Sequence, residues 1–284
     1  MDLGFVSLNA PRDLAPDTLA VELESRGFES IWVGEHPQIP VAAGDQFPPA
    51  LLAAQKQMWD PLLSLLAAAR ATTTLRLGTA VALPLERELF TTAKQVATLD
   101  QMSGGRLLLG VGVGVRAELE VAGSIAWADR YRALADMVAA LDALWTADEA
   151  EHHGPFFDFD AVWSYPKPQQ RPRPPLLAAA TGPNAIRECV GWADGWLPGD
   201  AAFRDVAGAL ADFRRTAEEA GRDPATLDLT IMAWGDPKLE KLAAYRDMGF
   251  NRAVLGGGRR NADDPSTTMA FLDRYAAMVD ELRS

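Results

Sequence analysis

Residues 75–114, LRLGTAVALPLERELFTTAKQVATLDQMSGGRLLLGVGVG, decide the fold class of this chain. The segment begins with a strand-like apolar run, residues 75–83, which Pro84 ends, and it finishes with a second apolar run, residues 107–113. Between the two runs, apolar side chains recur at helical spacing: Phe90, Ala93, Val96, Ala97 and Met102. The glycine pair at 104–105 predicts the end of that helix, because glycine readily adopts the left-handed backbone conformation. Two apolar strands joined by a helix are expected to lie parallel in one sheet.

The same alternation of strand and helix patterns runs along the whole chain of 284 residues. Strands are predicted at residues 4–8, 28–34, 75–83, 107–113, 176–180, near Trp196, 227–234 and 252–255. The segments SRGFESIWVG, VGWADGWLPG and DMGFNRAVLGG share one pattern, in which a helix end and a glycine precede an aromatic residue and a strand. Eight strands alternating with helices predict an α/β fold, a (β/α)8 TIM barrel, with residues 1–284 as a single domain.

Two segments interrupt this alternation. Residues 150–175 carry a cluster of aromatic side chains followed by prolines, and we predict an insertion there, outside the main sheet. Residues 37–59 form a long, turn-rich connection between a strand and a helix. A connection of that length is more often a lid or a binding loop than a plain turn.

The composition of the chain narrows its classes of function. The 27 lysine and arginine residues stand against 39 acidic residues, a formal net charge of −12. This balance argues against nucleic-acid and anionic-membrane partners, because both need a basic surface. One cysteine and three histidines argue against a disulfide, a thiolate cluster or a multi-histidine metal site. Because the sequence shows no basic leader and no apolar run of about 18 residues, we predict a cytoplasmic protein.

The C-terminal ends of the predicted strands hold the candidate functional residues, because barrel enzymes carry their sites at that end. These positions are Asn9, Glu35, His36, residues 81–84, 112–115, 181–182 and 198–199, Trp234 and residues 256–258. Glu35 and His36 suit proton transfer or the binding of a polar ring edge, and a purely structural histidine is an equal alternative.

Two motifs with small residues allow more than one interpretation. GVGVRA at residues 112–117 fits the dinucleotide fingerprint G-x-G-x-x-A. Three strand–helix units precede it, whereas the fingerprint usually opens its fold, so we favour small residues that let a large or flat ligand approach the backbone. AAATGPN at residues 178–184 ends a strand and begins a helix, an arrangement that suits a phosphate or a compact turn equally well.

Four segments together resemble the bacterial-luciferase-like flavin and deazaflavin oxidoreductases, in particular their F420-dependent branch. They are LRLGTAVALPL, AKQVATLDQMSGGRLLLGVGVG, KPQQRPRPPLLAAATG and ADGWLP, in this order. The resemblance covers nearly the whole chain. It implies a TIM barrel with an insertion near residues 150–175, and a homodimer.

The resemblance also implies roles for individual residues. A non-proline cis peptide between Ala80 and Val81 would support the cofactor ring. His36 would transfer a proton or stabilise charge at the reactive edge of the ring, with Glu35 orienting it. The other implied cofactor-binding residues are Gly112 and Gly114 beside the cofactor tail, Ala179, Ala180, Thr181 and Gly182 at the phosphate, and Trp196 in the DGW segment.

The chain departs from the family pattern at two places. Arg87, Glu88 and Leu89 stand where many relatives have Arg-His-Pro or Arg-Asn-Pro. Val115 stands where some F420-dependent sugar-phosphate dehydrogenases have a catalytic glutamate, which puts that particular chemistry in doubt.

The sequence therefore predicts an F420-dependent oxidoreductase that transfers a hydride between the deazaflavin and a small organic substrate. The alternative within the family is an FMN-dependent monooxygenase that uses O2 and a separate reductase, and either enzyme could work with a flavin or F420 reductase. Basic groups at the mouth, such as Arg116 or Arg187, would favour the long acidic tail of F420. Outside the family, a metal-dependent barrel hydrolase and a cofactor-binding carrier or sensor are the alternatives.

Overall fold

The computed structural model describes residues 1–123, 125–256 and 265–284. The strands in these ranges are β1 (Asp2–Ser7), β2 (Ser30–Val33), β3 (Arg76–Thr79), β4 (Leu107–Val111), β5 (Ala150–His153), β6 (Asp158–Val162), β7 (Leu176–Ala178), β8 (Gly195–Trp196), β9 (Asp228–Ala233) and β10 (Arg252–Gly256). Eight of them form a closed barrel of parallel strands in the order β1-β10-β9-β8-β7-β4-β3-β2. The predicted α/β (β/α)8 barrel is therefore confirmed.

Helices alternate with the barrel strands along the chain. They are α1 (Pro16–Ser25), α2 (Pro49–Gln55), α3 (Pro61–Ala71), α4 (Leu89–Ser103), α5 (Arg116–Ala122), α6 (Arg130–Thr146), α7 (Pro183–Cys189), α8 (Val206–Glu219), α9 (Leu239–Met248), α10 (Pro265–Ala276) and α11 (Val279–Arg283). Short 3-10 helices occur at Val41–Gln46, Pro84–Glu86, Trp127–Asp129, Asp200–Ala202 and Pro224–Thr226. Within the described ranges, none of the helices is both long enough and apolar enough to cross a membrane.

The helix ends follow the local signals in the sequence. The Asp60 side chain caps α3 by accepting hydrogen bonds from the backbone amides of Leu62 and Leu63, at 2.9 and 3.0 Å. Gly104 ends α4 with a φ of 70°, in the left-handed region that glycine tolerates best. The stop that residues 104–105 predict is therefore confirmed.

A tryptophan fills the inside of the barrel. The indole of Trp32 on β2 is fully buried, and its Nε1 donates to Ser30 Oγ at 2.7 Å. A Cβ on Gly78 would lie 2.2 Å from this indole, and one on Gly4 would lie 2.8 Å from its Nε1. The two glycines are therefore needed because a side chain at either position would occupy the volume of the ring.

One detail of the predicted layout changes, the predicted insertion outside the main sheet is confirmed, and two segments contain elements that were not predicted. Phe90 and Met102 are exposed, because the buried face of α4 lies along Ala93, Val96 and Ala97. The ring of Phe90 instead packs edge-on against Phe159, with 5.2 Å between the ring centroids. The insertion at residues 150–175 contains the antiparallel pair β5–β6, which is separate from the barrel sheet. The connection at residues 37–59 contains a 3-10 helix and α2 in addition to turns.

A buried arginine joins three elements at the N-terminal end of the barrel strands. Arg252, at the start of β10, donates through Nε and one terminal nitrogen to the two carboxylate oxygens of Glu29, at 2.7 and 2.9 Å. Its other terminal nitrogen donates to Thr230 Oγ1 at 2.7 Å and lies 3.3 Å from Asp228. This bidentate, charge-assisted set stabilises the closure of the sheet.

Candidate active site

A cavity of about 530 Å³ lies at the C-terminal ends of the barrel strands. Its walls are mostly apolar, and they include side chains from the connection at residues 37–59. The residues along it include Val6, Leu8, Leu51, Gln55, Met58, Val81, Leu83 and Trp234, with glycines at 34, 114, 235 and 256. Its volume falls within the range of about 300–1,000 Å³ that is usual for small-molecule sites.

Five of the predicted site residues lie on this cavity. They are Glu35 and His36 after β2, Ala80 and Val81 after β3, and Gly114 after β4. The peptide between Ala80 and Val81 is cis, as the resemblance implied. Gly114 has a φ of +64°, and a Cβ there would lie 2.9 Å from an oxygen of Glu86, so both backbone and space favour glycine.

Gly112 lies behind the cavity wall. A Cβ at this position would lie 2.8 Å from a methyl group of Val81 and 3.8 Å from the Cβ of Ala179. Gly112 is therefore not among the cavity-lining residues, and its absent side chain makes room for Val81.

His36 contacts a carboxylate that the sequence analysis did not predict as its partner. Its Nδ1 lies 2.9 and 3.1 Å from the two oxygens of Glu118, which is fully buried on α5. The expectation that Glu35 orients His36 is therefore wrong, because these two side chains contact different partners. With Nδ1 engaged, Nε2 is the nitrogen of His36 left for proton exchange with a ligand.

Glu35 instead forms a buried ion pair. Its two oxygens accept from Arg87 Nε at 2.6 Å and from the Leu83 amide at 2.8 Å. Arg87 also donates to Asp60, the cap of α3, at 2.6 Å. Burial raises the pKa of Glu35 above its usual value, while the bonds from Arg87 and Leu83 oppose this rise. Glu35 thereby ties the end of β2 to the segment that follows β3.

Glu86 lies between these two sets of charges. One of its oxygens, Oε1, is buried and makes no hydrogen bond, and the other lies 3.5 Å from Gln38 Nε2. Burial and the nearby carboxylates of Glu118 and Glu35 raise the pKa of Glu86 to about 7.

Trp196 does not lie at the mouth of the barrel. It is fully buried outside the sheet, where its ring stacks on Phe213 of α8 at a centroid distance of 4.6 Å. Its Nε1 donates to the carbonyl oxygen of Ala180 at 2.7 Å, and Ala180 is buried as well. The predicted contact of Trp196 with a cofactor is therefore wrong, because alternation along β8 directs this side chain towards the helices.

The predicted phosphate loop lies beside the cavity rather than on its wall. The backbone amide of Ala179 already donates to Val111 O at 2.9 Å. Thr181 is exposed, and Gly182 has open space where a side chain would stand, just before Pro183 begins α7. Phosphate binding by Thr181 and Gly182 stays a prediction.

An aromatic wall closes the opposite side of the cavity. Trp234, after β9, is 40% exposed and lies between Gly199 and Gly256, where added Cβ atoms would approach its ring to 3.0 and 2.4 Å. Buried Asp200 accepts a hydrogen bond from the Trp234 amide at 3.1 Å and further bonds from Lys241 and Tyr245. Trp234 and Gly256 were predicted at the mouth but were not assigned to the site, and Gly257 and Gly258 lie outside the described residues.

Other residues of the site come from a segment that was predicted as a lid or binding loop, but they were not singled out individually. Leu51, Gln55 and Met58 reach the cavity from the connection at residues 37–59. The length of that connection was the only signal for them. Within the described ranges, no group of three histidine, cysteine or acidic side chains is arranged to hold a metal ion.

Comparison with known proteins agrees with this geometry. The sequence profile of a family described as luciferase-like monooxygenase matches residues 16–252. A protein of Mycobacterium tuberculosis with no characterised function is 35% identical over 288 residues, covering 98% of this chain and 99% of that protein. The F420-dependent hydroxymycolic acid dehydrogenase of the same organism is 30% identical over 209 residues, covering 72% of this chain and 54% of that protein, so the match spans about half its length.

A solved structure shows the same fold. An F420-dependent secondary alcohol dehydrogenase in complex with an F420–acetone adduct superposes with a TM-score of 0.77. The match covers 100% of this chain and 99% of that chain at 20% sequence identity, which supports the barrel fold alone.

Proposed function

The chain belongs to the luciferase-like monooxygenase family and is an oxidoreductase, and on that premise we propose that it is F420-dependent. It moves a hydride between the deazaflavin and a small organic substrate. A relative that is 30% identical carries an F420-dependent dehydrogenase name, which supports this choice of cofactor. The observation that carries the proposal is a histidine with a buried carboxylate partner, His36, facing the same apolar cavity as Val81 and Trp234.

In this proposal the flat tricyclic ring of the cofactor occupies the cavity. Val81 and the indole of Trp234 offer apolar surfaces, and the glycines at 34, 114 and 256 allow close approach to the backbone. When bound, the cofactor accepts or supplies the hydride. In this proposal Ala80, Val81 and Gly114 hold the ring, with Gly112 behind them, while Thr181 and Gly182 bind its phosphate.

The side chains of the protein handle the proton. Reduction of a carbonyl adds a hydride to carbon and one proton to oxygen, and oxidation of an alcohol reverses both transfers. His36 exchanges this proton through Nε2, because Nδ1 is engaged by Glu118. Leu51 and Met58 restrict water at the reacting atoms, since both lie on the cavity.

A second candidate function is FMN-dependent monooxygenation with O2 and a separate reductase. One observation favours it: the two arginines that were proposed to bind the acidic tail of F420 already have partners within the protein. Arg116 is mostly exposed and pairs with Glu120 at 2.7 Å, and Arg187 donates to Asn184. Both would have to exchange these partners to bind the tail.

Cofactor titration of the purified protein distinguishes the two functions. We expect F420 to bind, and reduced F420 to be oxidised without O2 in the presence of a carbonyl substrate. A His36→Asn variant should bind F420 while losing this turnover. Tight binding of FMN with no affinity for F420, together with consumption of O2, would overturn the proposal in favour of the monooxygenase.

A further inference from the structure

The cavity extends between two side chains that belong to different parts of the barrel mouth. His36 follows β2 and Trp234 follows β9, and in the closed sheet β1 and β10 lie between these two strands. Three strand spacings of about 4.8 Å each therefore separate the two positions along the sheet. The residues proposed to hold the cofactor ring follow β3 and β4 instead. The stretch of cavity along β1 and β10 is thus available to the substrate.

The walls of this stretch are apolar. Val6 at the end of β1 and Leu8 just after it both border the cavity. The hydroxyl of Ser7, which borders the cavity as well, is already engaged within the protein. It donates to Asp13 Oδ2 at 2.6 Å and accepts from the backbone amide of Asn9 at 2.9 Å. A substrate group that lies along this stretch therefore gains most by being a hydrocarbon chain.

Trp234 stands at the end of this stretch in a fixed position. A Cβ on Gly199 would lie 3.0 Å from Nε1 of the indole, and one on Gly256 would lie 2.4 Å from its six-membered ring. The ring therefore fits between two backbone segments that carry no side chain. The Trp234 amide donates to buried Asp200 at 3.1 Å, and the other oxygen of this carboxylate accepts from two side chains of α9.

A second space lies against the same indole. A groove of about 390 Å³ is bordered by Trp234, by Asp236 and Pro237 after it, and by side chains at the start of α9. In the described part of the chain, Trp234 is the one residue that borders both this groove and the cavity. The indole therefore forms the partition between the two spaces, and its removal would join them.

We propose that Trp234 determines the length of the substrate that the enzyme accepts. The proposal rests on the hydride transfer proposed above, and it narrows the substrate class to ketones and alcohols with a short apolar chain. The reacting oxygen lies at His36, the chain lies along β1 and β10, and its far end meets the indole. Each added CH2 group should tighten binding about fourfold until the chain reaches Trp234, and further groups should add nothing.

Binding of methyl ketones from butanone to decanone tests this role. The protein is loaded with whichever oxidised cofactor it binds, F420 or FMN, so that the ketone binds without being reduced. In the wild type, the gain in affinity with chain length should stop before decanone. In Trp234→Ala the gain should continue, so that decanone binds at least about tenfold more tightly than it does to the wild type. Trp234→Phe should lie between the two.

A matched control separates the partition from a general effect of losing a tryptophan. Trp163→Ala, which removes an indole that is 76% exposed just after β6, should match the wild type at every chain length. The same chain-length dependence in Trp234→Ala and the wild type would overturn the proposal, as would equal weakening at all lengths or no binding of any ketone. Because no turnover is measured, this outcome is separate from the choice between hydride transfer and monooxygenation.

Discussion

At the N-terminal end of the barrel strands, Arg252 donates to three side chains, and Arg106 makes five hydrogen bonds to neighbouring oxygens. At the C-terminal end, Asn9, Gln55 and Glu86 each leave one buried oxygen without a partner, whereas just before β8, at the N-terminal end, one buried nitrogen of Trp192 is unpaired. An unpaired buried polar atom costs on the order of 1–3 kcal/mol, so the two ends contribute differently to stability. The N-terminal end stabilises the barrel, whereas the C-terminal end keeps acceptors available beside the cavity, as barrel enzymes generally do.

The largest expected effect is on the N-terminal end. Replacing Arg252 by methionine leaves Glu29 and Asp228 partly buried without their cation, so the free energy of unfolding should fall by roughly 3–5 kcal/mol. Urea unfolding measures this. Arg215→Met, which removes an exposed arginine of α8, should change stability by less than about 1 kcal/mol. A similarly small loss for Arg252→Met would contradict the contrast between the two ends.

At the C-terminal end, the corresponding change should affect turnover instead. His36→Asn should lower kcat at least about hundredfold, because proton exchange at the reacting oxygen is lost. Its free energy of unfolding should change by less than about 1 kcal/mol, because asparagine can still bond Glu118. His153→Asn, in the exposed β5–β6 pair, is the matched control and should keep full activity. A large loss of stability in His36→Asn would place this histidine among the structural residues.

The effect of pH on stability sharpens the comparison further. Because the pKa of Glu86 is raised from 4.5 to about 7 in the folded protein, the folded state binds this proton more tightly than the unfolded chain does. Glu86 therefore loses its stabilising contribution as the pH rises through about 7. The unfolding free energy of Glu86→Gln minus that of the wild type should increase between about pH 5 and pH 7, and level off above that range. A difference independent of pH would show that Glu86 is ionised throughout.

The smallest expected effect concerns Gln55. Its Oε1 is buried on the cavity without a partner, so Gln55→Leu should leave stability unchanged or raise it by up to about 1 kcal/mol. If the oxygen accepts a bond from the substrate, KM should rise about three- to tenfold with little change in kcat. Gln57→Leu, whose amide bonds Ala53 O on the surface, is the control. An unchanged KM for Gln55→Leu would remove Gln55 from substrate binding.

Much of the fold could be predicted because its signals are local. The stop at Gly104 and the apolar strand of residues 107–113 each depend on neighbouring residues, and each appears at or within two residues of its predicted place. The barrel fold also predicted which residues stand at the C-terminal ends of its strands. His36 and Val81 therefore lie on one cavity, as expected. Phe90 was predicted on the buried face of α4 but is exposed. Helical spacing shows which residues share a face, but it does not show where the buried part of that face ends.

The sequence alone determined the barrel, its insertion and the end of the barrel at which the ligand cavity lies, because periodicity and strand order suffice for these. Only the tertiary structure decided which carboxylate meets which base. Glu118 reaches His36 across 82 residues of chain, Arg87 reaches Glu35 across 52, and Trp196 points away from the cavity. Such pairings depend on the directions of side chains from neighbouring strands and helices, which spacing along one chain does not encode.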